Sequence, residues 1–503
     1  MKKSILFLII FAVISGCSKF EEINSNPNAT EKVTPAMLAT SLILGITKSA
    51  TGKPFATSDF LTKTMAWGEN GDGYQYNSFG RTSMDYTSLT NIKKMVDLAV
   101  DADKKAYNAL GLFIKAYRLF YMSLDLGDIP YSEALQGEEG NVTPKYDTQK
   151  EVMRLILADL QAADEGFAAG RNFTGDPIFN GNIQTWRRTV NAFRLKVLLH
   201  LSKKADDPDL KIKEKFAQIV QSSPLLQSNA QNFQLVFSDK VNQYYPFNKT
   251  IHKYVEYPMI SDFLIDSLKK MNDYRLFHYA NPSVFQTENQ GLSVDDWDAY
   301  LGVDPSDVFS NLKVLWTADK FCLLNLRYSD YIPGEPLVRI GFAEQNFIIA
   351  EAISRGWLTG NAKEYYENGI KAAMKFVADN TPDNVNYHHN RKITDAYVQT
   401  YLTGIFVNFA ATPDKQIKQI LQQKYFLRFL QNPYEAYYEY RRTGYPNWPI
   451  NPATSLNEVK DKIPVRWMYP MVEYTRNEKN IKDAIARQYG GQDSPNELMW
   501  ILK

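Results

Sequence analysis

The sequence predicts a mainly α-helical protein made of stacked helical hairpins, with loop-rich segments between and after the helical blocks. Three observations support this prediction. Apolar residues recur at spacings of three and four in many stretches from about residue 89 onward. These periodic stretches occur in adjacent pairs with short connectors. From 203 to 340, and again from 433 to 503, short apolar pieces are broken by Asn, Pro, Gly and Asp instead.

The first sixteen residues have the layout of an export signal. Met1-Lys2-Lys3 is a positive patch, and an uncharged apolar run follows it. The run is shorter than the roughly 20 residues that a membrane-spanning helix needs. It ends at Ile14-Ser15-Gly16-Cys17, which resembles the lipobox at which bacterial lipoproteins are cut and lipidated. We therefore expect residues 1–16 to be removed and Cys17 to carry lipid. The alternative is an ordinary signal peptide with a chance cysteine.

The helical scaffold is predicted mainly in residues 89–202 and 341–432. One apolar face is formed by Leu110, Phe113, Ile114, Tyr117, Phe120 and Tyr121. Similar faces recur along both blocks, although the residues show no clean fixed-period repeat. The loop-rich parts, 203–340 and 433–503, complete a mature chain of residues 17–503.

Composition bounds the function. With 503 residues, 44% hydrophobic and 22% charged, the chain can bury a sizeable core. The net charge is +1 and the chain has no long basic run. It therefore does not have the strongly positive charge that is typical of nucleic-acid-binding proteins. Tyrosine is abundant, at 31 residues, and its polar tip and apolar ring suit binding surfaces as well as cores.

Several motifs, spread in order over the mature chain, resemble those of one family. "FEEINSNPNATEKVTP" follows Cys17, and "LFYMSLDLGDIPYSEAL", "FNGNIQTWRRTVNAFRLKVLLHLS" and "MNDYRLFHYANP" come next. "NPYEAYYEYRRTGYP" and "IPVRWMYPMVEYTRN" lie near the end. Together they resemble the SusD/RagB-like outer-membrane nutrient-binding lipoproteins, within them the SusD-like 2 branch. Tyr274 departs from the pattern, since proline is commoner there.

The resemblance implies a tetratricopeptide-like helical scaffold whose variable loops contact the ligand. It implies a non-catalytic lipoprotein on the outer face of the outer membrane of Bacteroidetes-type bacteria, binding glycans or, in some members, peptides. It also implies a partner, a SusC-like TonB-dependent transporter on which the protein acts as a lid. Glu21 and Glu22 resemble the surface-export signal of such lipoproteins. The shared motifs themselves favour structural roles, including a helix stop at Gly127 and pairing of Arg441 and Arg442 with carboxylates or helix-end carbonyls.

The stretch "WGENGDGYQYNSFGR", residues 67–81, is the first candidate binding segment. Sugars need flat aromatic platforms with polar groups beside them. Asn-Gly and Asp-Gly dipeptides predict tight turns that present the aromatic residues on a loop or hairpin. The candidate ligand-binding residues are Trp67, Asn70, Asp72, Tyr74, Tyr76, Phe79 and Arg81, with Asn77 as a further hydrogen-bonding group. The alternative, weighed equally, is a hairpin whose aromatic residues pack on the body of the protein.

A second candidate is formed by Trp297 and Tyr300, whose spacing of three in an acidic loop indicates exposure. Trp316, in "KVLWTAD", is expected to be buried. Because the family shares no binding motif in its loops, both candidate sets depend on the residues alone.

Metal and catalytic functions have weaker support. The pair His388-His389 lacks a nearby ligand cluster and favours a solvated loop over a zinc site. The aspartates of residues 295–307 do not have EF-hand spacing, so a solvated acidic loop is favoured over a structural calcium site. We expect no cofactor. Since distant carboxylates can form a glycosidase site, a surface glycan hydrolase stays an alternative, although no nucleophile motif or phosphate loop is present.

Overall fold

The computed structural model describes residues 32–431 and 434–503. The predicted export signal, Cys17, Glu21 and Glu22 lie outside the described residues. Within them, no helix combines the length and apolar character that crossing a membrane requires.

Helices dominate the regular structure of the described chain, which confirms the prediction of a mainly α-helical fold. The first block contains α1 (Pro35–Thr47), α2 (Thr57–Leu61), α3 (Asn91–Leu98), α4 (Asp101–Leu126), α5 (Gln149–Ala168) and α6 (Ile183–His200). The middle part contains α7 (Ile212–Ser222), α8 (Asp262–Lys270), α9 (Leu276–Tyr279), α10 (Phe309–Thr317) and α11 (Leu326–Ser329). The last part contains α12 (Phe342–Ser354), α13 (Ala362–Asp379), α14 (Val385–His388), α15 (Asp395–Leu402), α16 (Pro413–Leu427), α17 (Glu435–Thr443), α18 (Met471–Arg476) and α19 (Glu478–Tyr489).

In the part of the chain that the structure describes, four short strands form two small antiparallel sheets. β1 (Met65–Trp67) pairs with β3 (Pro258–Ile260), and Trp67 lies opposite Pro258. β2 (Phe233–Leu235) pairs with β4 (Leu337–Ile340). Both sheets join segments far apart in the chain: the first ties the N-terminal part to the middle part, and the second ties the two ends of the middle part together. The division into scaffold and loop-rich parts stays a prediction, and α7 to α11 and α17 to α19 lie inside the predicted loop-rich segments.

The helices pack as neighbouring pairs around a shared core. α4 packs along α5, α5 along α6, and α12 along α13 and α16. The predicted apolar face of α4 is inside the core, where Phe113 contacts Trp186 and Phe193 edge to face. Most of the stability of such helices comes from burial of an amphipathic face rather than from helix propensity.

The start of α6 is fixed by one buried carboxylate. Asp176 accepts hydrogen bonds from the backbone N–H groups of Ile178, Phe179 and Gly181, and from Trp186 Nε1 at 2.9 Å. Gly181 has a positive φ of 72°, and a Cβ there would lie 1.7 Å from the carbonyl oxygen of Phe173. The spacing between Gly181 and Trp186 therefore has a structural role, because both residues donate to Asp176.

The Gly-Asp-Ile-Pro-Tyr-Ser motif connects three helices. Gly127 ends α4 with a φ of 91°, which confirms the predicted helix stop. Asp128 accepts from the backbone N–H of Gln149 at 2.8 Å, at the start of α5, and from Arg487 Nε of α19 at 2.9 Å. A Cβ on residue 127 would lie 2.3 Å from Gln488 Oε1. The motif thus joins the first helical block to the last helix.

A buried network of charges joins α6, α12, α16 and α17. Lys196 lies 2.9 Å from Glu344 and 3.2 Å from Glu435, and all three side chains are almost fully buried. Arg442 pairs with Glu351 at 2.6 Å, and Arg441 donates to the carbonyl oxygen of Leu124 at the end of α4 at 2.8 Å. These contacts confirm the structural roles predicted for Arg441 and Arg442. Buried ion pairs contribute little net stability when intact, but removing one partner is costly.

Candidate functional site

The loop of residues 67–81 begins directly after β1 and is held from below by a buried lysine. Lys63 Nζ donates to the carbonyl oxygen of Gln75 at 2.5 Å and to Asn77 Oδ1 at 3.0 Å. Burial lowers the pKa of Lys63 to about 7, although the charges of Asp304 and Asp72 oppose the shift. The predicted hydrogen-bonding group Asn77 is therefore used inside the loop.

The aromatic residues of this loop pack on the body of the protein. Trp67 has no exposed surface and Phe79 is 7% exposed, so the expectation that the loop presents these two rings is wrong. Phe79 lies 4.8 Å from the ring of Trp467, and the half-buried Tyr74 accepts a hydrogen bond from Trp467 Nε1 at 2.9 Å. Tyr76 donates to the carbonyl oxygen of Asp307 at 3.1 Å. The packed alternative describes this loop.

The polar candidates of the loop lie in two places. Asn70 is exposed beside Trp67 and accepts from Lys53 Nζ at 3.3 Å, while Asp72 lies 3.6 Å from the same ammonium group. Arg81 lies at the other end of the loop, where it pairs with Asp493 at 2.8 Å. The structure therefore brings Asn70 and Asp72 together with Trp67, and it separates Arg81 from them.

The second candidate pair is mostly buried. Tyr300 has no exposed surface, which contradicts the predicted exposure, and it donates to the carbonyl oxygen of Val294 at 2.9 Å. Trp297 is half-buried, with its ring 4.7 Å from that of Phe277. Both rings complete the packing around α9, because Phe277 lies between them. The ligand-binding role of the residues in both candidate sets stays a prediction.

Four other rings lie side by side on the surface next to Trp67, and we call them the aromatic row: His252, Tyr254, Tyr257 and Trp316. Successive ring centroids are separated by 5.9, 6.3 and 6.3 Å. Tyr254 is 44% exposed and the other three are half-buried. Trp67 packs beneath Tyr254 and Tyr257, at centroid distances of 6.0 and 5.4 Å. Trp67, which was predicted to bind ligand, is thus buried beneath the aromatic row, and the residues of the row lie at the surface in its place.

The row is positioned by β3, α10 and a glycine. Tyr257 directly precedes β3, and its carbonyl oxygen accepts from the N–H of Gly68 at 2.8 Å, which continues the pairing with β1. Trp316 lies near the end of α10 and donates from Nε1 to the carbonyl oxygen of Glu256 at 3.1 Å. A Cβ on Gly68 would lie 2.9 Å from Trp316 Cδ1. Glycine at 68 therefore leaves the space that Trp316 occupies.

Sequence reasoning missed three members of the row and predicted the fourth to be buried. Trp316 is half-buried rather than buried, since it lies near the end of α10 with its ring against Gly68. Tyr254 and Tyr257 are spaced by three in the loop "FNKTIHKYVEYP". The same spacing was the signal used for Trp297 and Tyr300, so it could have selected the two tyrosines as well.

Polar groups surround the aromatic row. Glu256 and Asn70 are exposed, and Glu69 accepts from Trp67 Nε1 at 3.3 Å. The ammonium of Lys313 lies 3.7 Å from the ring centroid of Trp316, so a ligand that stacks on this face would displace an exposed lysine side chain. Burial lowers the pKa of His252, which keeps its ring neutral at neutral pH. Flat rings beside carboxylate, amide and ammonium groups match the C–H faces and hydroxyls of a saccharide.

Histidine and acidic clusters elsewhere are used in packing and pairing. His388 and His389 are buried, so the expected solvated loop is wrong there, and His389 contacts the carbonyl oxygen of Phe277 at 2.8 Å. In the described chain, His200, Glu435 and Glu439 hold ligand atoms within 4.8 Å of one another. Lys196 and Lys424 already pair with these two carboxylates, at 3.2 and 2.5 Å, so we assign the cluster to the buried charge network. The expectation of no metal cofactor stays a prediction.

The aspartate loop of residues 295–307 uses several carboxylates to cap its own turns. Asp296 accepts from the N–H of Asp298 at 2.9 Å, and Asp304 accepts from the N–H of Ser306 at 2.7 Å. Asp295 lies 3.6 Å from Arg391. The solvated acidic loop, with a structural calcium ion as its alternative, stays a prediction.

A helical scaffold that presents aromatic rings with polar groups around them has the features of the class of ligand-binding proteins. Over residues 27–470 the sequence matches the SusD-like 2 family, described as starch-binding and associating with the outer membrane. The predicted family resemblance is confirmed, and the chain belongs to this family of outer-membrane-associated nutrient- and carbohydrate-binding proteins.

Solved structures agree with this assignment. A SusD homolog from Bacteroides fragilis is 48% identical, with a TM-score of 0.92, and the match covers 94% of this chain and 100% of that chain. An outer-membrane protein from Bacteroides vulgatus, described as involved in nutrient binding, is 31% identical, with a TM-score of 0.84 and the same coverage. A chitin-binding SusD homolog from Flavobacterium johnsoniae, 20% identical with a TM-score of 0.69, covers 93% of this chain and 98% of its own, and shows the fold alone. Among curated proteins, none matches the chain.

Proposed function

We propose that this protein is a lipid-anchored binding protein on the outer face of the outer membrane, where it captures an oligosaccharide on the aromatic row. The observation that carries the proposal is the row itself, with Tyr254 44% exposed and the rings of Tyr257 and Trp316 nearly parallel at an interplanar angle of 22°. Such a surface suits a chain of sugar rings, because successive rings can stack on successive aromatic faces. The protein binds its ligand without cleaving it.

The protein delivers the captured ligand to a SusC-like TonB-dependent transporter and acts as the lid of that barrel. The family's association with the outer membrane supports this part of the proposal. Lipid on Cys17 anchors the chain, since acyl chains add about 0.8 kcal/mol of membrane affinity per buried methylene. The short acidic stretch after Cys17 directs the protein to the cell surface.

The experiment is calorimetric titration of the purified full-length protein with maltoheptaose, chitohexaose and a set of peptides, with mass spectrometry of the recovered ligand. We expect saturable binding of an intact oligosaccharide. Trp316→Ala removes one wall of the row and should weaken binding by about 2 kcal/mol, roughly 30-fold, as for a central aromatic contact.

Trp500→Ala is the matched control. Trp500 is also half-buried and also lies under a lysine, with Lys204 Nζ 5.1 Å from its ring centroid, but it is outside the row. Affinity should be unchanged in this variant. Equal effects of both substitutions would remove the row from the proposal. If only peptides bind, the ligand is a peptide and not an oligosaccharide. If the sugar is recovered in cleaved form, the protein is a hydrolase.

Transport partnership is tested separately. Affinity purification of the tagged protein from outer membranes should recover a TonB-dependent barrel. Cys17→Ala should leave the protein soluble after membrane isolation. Recovery without a barrel under conditions that retain the lipid anchor would contradict the lid function while leaving ligand capture intact.

A further inference from the structure

A second cleft opens where α8, the loop after α15 and the turn after α17 meet. It has a volume of about 380 Å³, which is in the range of small-ligand sites. Its walls include Phe263, Phe406 and Tyr445, together with the polar ends of Lys270, Lys418 and Gln422. No residue of the aromatic row lines this cleft, and the two surfaces lie toward opposite ends of β3, with Tyr257 just before the strand and α8 just after it.

A buried amide side chain with an unpaired donor lies in the wall of this cleft. Gln422 is only 6% exposed, and its Oε1 accepts a hydrogen bond from the hydroxyl of Tyr445 at 2.9 Å. Its Nε2 is buried and has no hydrogen-bond partner among the described residues, and Gln422 is one of the residues that line the cleft. A buried donor without an acceptor is costly, so an acceptor atom from a ligand would be bound favourably there.

Two ammonium groups add positive charge. Within the described part of the chain, neither Lys270 nor Lys418 has a carboxylate oxygen within 4.0 Å. Asp266 lies one turn before Lys270 on α8, yet Lys270 Nζ instead lies over the ring of Phe406, 4.7 Å from its centroid. Phe406 itself is 43% exposed. The cleft therefore combines unpaired cations with an exposed aromatic face, which favours an anionic ligand that carries an apolar face.

The neighbouring surface has the opposite charge. An adjoining cleft of about 390 Å³ shares Phe263 and Lys270 with the first and is lined by Asp262, Asp266 and Asp304. Carboxylates accept hydrogen bonds from hydroxyl groups, whereas they repel a second anion. A ligand unit bound across both clefts would therefore direct its anionic group to Lys418 and Gln422 and its hydroxyl groups to the aspartates.

We propose that this cleft is a second binding site, for an acidic sugar of the uronate class. Its carboxylate accepts from Lys418 Nζ, Lys270 Nζ and Gln422 Nε2, its ring lies against Phe406, and its hydroxyls donate toward Asp262 and Asp266. Capture on the aromatic row is independent of this site, since the two surfaces share no residue.

Trigalacturonate titrated into the purified full-length protein tests the site, with maltotriose as the neutral counterpart. We expect saturable binding of trigalacturonate that weakens as salt is added, because charged partners are screened. Lys418→Gln should weaken it at least about tenfold, the usual effect of losing a hydrogen bond to a charged group. Gln422→Glu keeps the acceptor for Tyr445 but replaces the donor by a repelling carboxylate, and should weaken binding at least as much.

Two controls make the outcome specific. Lys415→Gln removes an exposed lysine one turn earlier on α16, outside the cleft, and should leave the affinity unchanged. Trp316→Ala, in the aromatic row, should also leave trigalacturonate binding unchanged. Circular dichroism of each variant reports folding. Three results would overturn the proposal. Trigalacturonate could fail to bind at millimolar concentration, or it could bind folded Lys418→Gln and Gln422→Glu with unchanged affinity. It could also lose its binding in Trp316→Ala. Tighter binding of triglutamate in the same cleft would overturn the sugar assignment.

Discussion

Replacing Gly68 with alanine tests whether the position of Trp316 controls ligand capture. A Cβ at residue 68 would lie 2.9 Å from Trp316 Cδ1 and 3.2 Å from both Met259 Sδ and the carbonyl oxygen of Tyr257. Favourable carbon contacts begin near about 3.5 Å, so the indole ring has to move outward by roughly 0.5 Å. The movement lengthens the hydrogen bond from Trp316 Nε1 to Glu256, now 3.1 Å.

Two magnitudes follow for Gly68→Ala. Overpacking costs about 1 to 3 kcal/mol in a closed core, and the half-exposed ring of Trp316 places this site at the lower end, near about 1 kcal/mol of unfolding free energy. The displaced ring should also weaken maltoheptaose binding about tenfold, equivalent to roughly 1.4 kcal/mol. Calorimetric titration measures the affinity, and urea denaturation measures the stability.

Gly80→Ala is the matched control, since Gly80 belongs to the same loop and a Cβ added there would have nothing within 4 Å of it. This variant should bind and unfold like the wild type. If Gly68→Ala binds maltoheptaose as tightly as Gly80→Ala does, the placement of Trp316 does not matter for capture. The aromatic row would then lose its assignment as the capture surface.

Three further predictions concern the fold. Trp186→Phe removes the N–H that donates to Asp176 and some core volume, so urea denaturation should show a loss of about 2 to 3 kcal/mol; a loss below about 0.5 kcal/mol would contradict the role of that bond. Burial alone would raise the pKa of Glu435, but Lys196 and its other cationic neighbours hold it well below the ordinary value, so its contribution to stability is present above about pH 4.3 and is lost as pH falls further. Glu435→Gln should lower the free energy of unfolding by about 3 to 5 kcal/mol at pH 7. It should also make stability fall less steeply than in the wild type between pH 5 and 3. Parallel declines of the two proteins would contradict this prediction. The pKa of Lys63 is lowered to about 7, so the unfolded chain binds one proton more than the folded chain between pH 7 and about 10.5. The free energy of unfolding should therefore rise with pH in this range, by up to about 1.4 kcal/mol per pH unit more in the wild type than in Lys63→Met. Equal slopes for the two proteins at pH 7 and 9 would disprove this prediction.

The helical scaffold could be predicted because its signals are local. The apolar spacing along α4 lies within one helix, and the face that it predicts is buried against Trp186 and Phe193. The stop at Gly127 is likewise a property of one residue with a φ of 91°. Short-range periodicity and turn chemistry are visible in a sequence whatever the rest of the chain does.

The aromatic row could not be predicted in the same way, because the burial of its residues and of Trp67 depends on distant partners. Trp67 has no exposed surface because β1 pairs with β3, which brings Tyr254 and Tyr257 over its ring. Tyr300 and Tyr257 have the same local pattern, an aromatic residue three positions after another in a loop. Tyr300 packs against Phe277 and His389, whereas Tyr257 lies at the edge of the sheet. Only long-range pairing distinguishes them.

The junction between Gly127, Asp128 and α19 has a consequence for the way the chain folds. Tyr489 donates to the carbonyl oxygen of Leu126 at 2.6 Å, and Arg487 binds Asp128, so the end of α4 is completed by residues about 360 positions later. Contacts of such separation form late, because closing a long loop is entropically costly. Until α19 has been made, the end of α4 lacks these partners, and Asp128 keeps its bond to Gln149 but lacks the guanidinium group of Arg487. The first helical block therefore reaches its final packing only after the last long helix has been made.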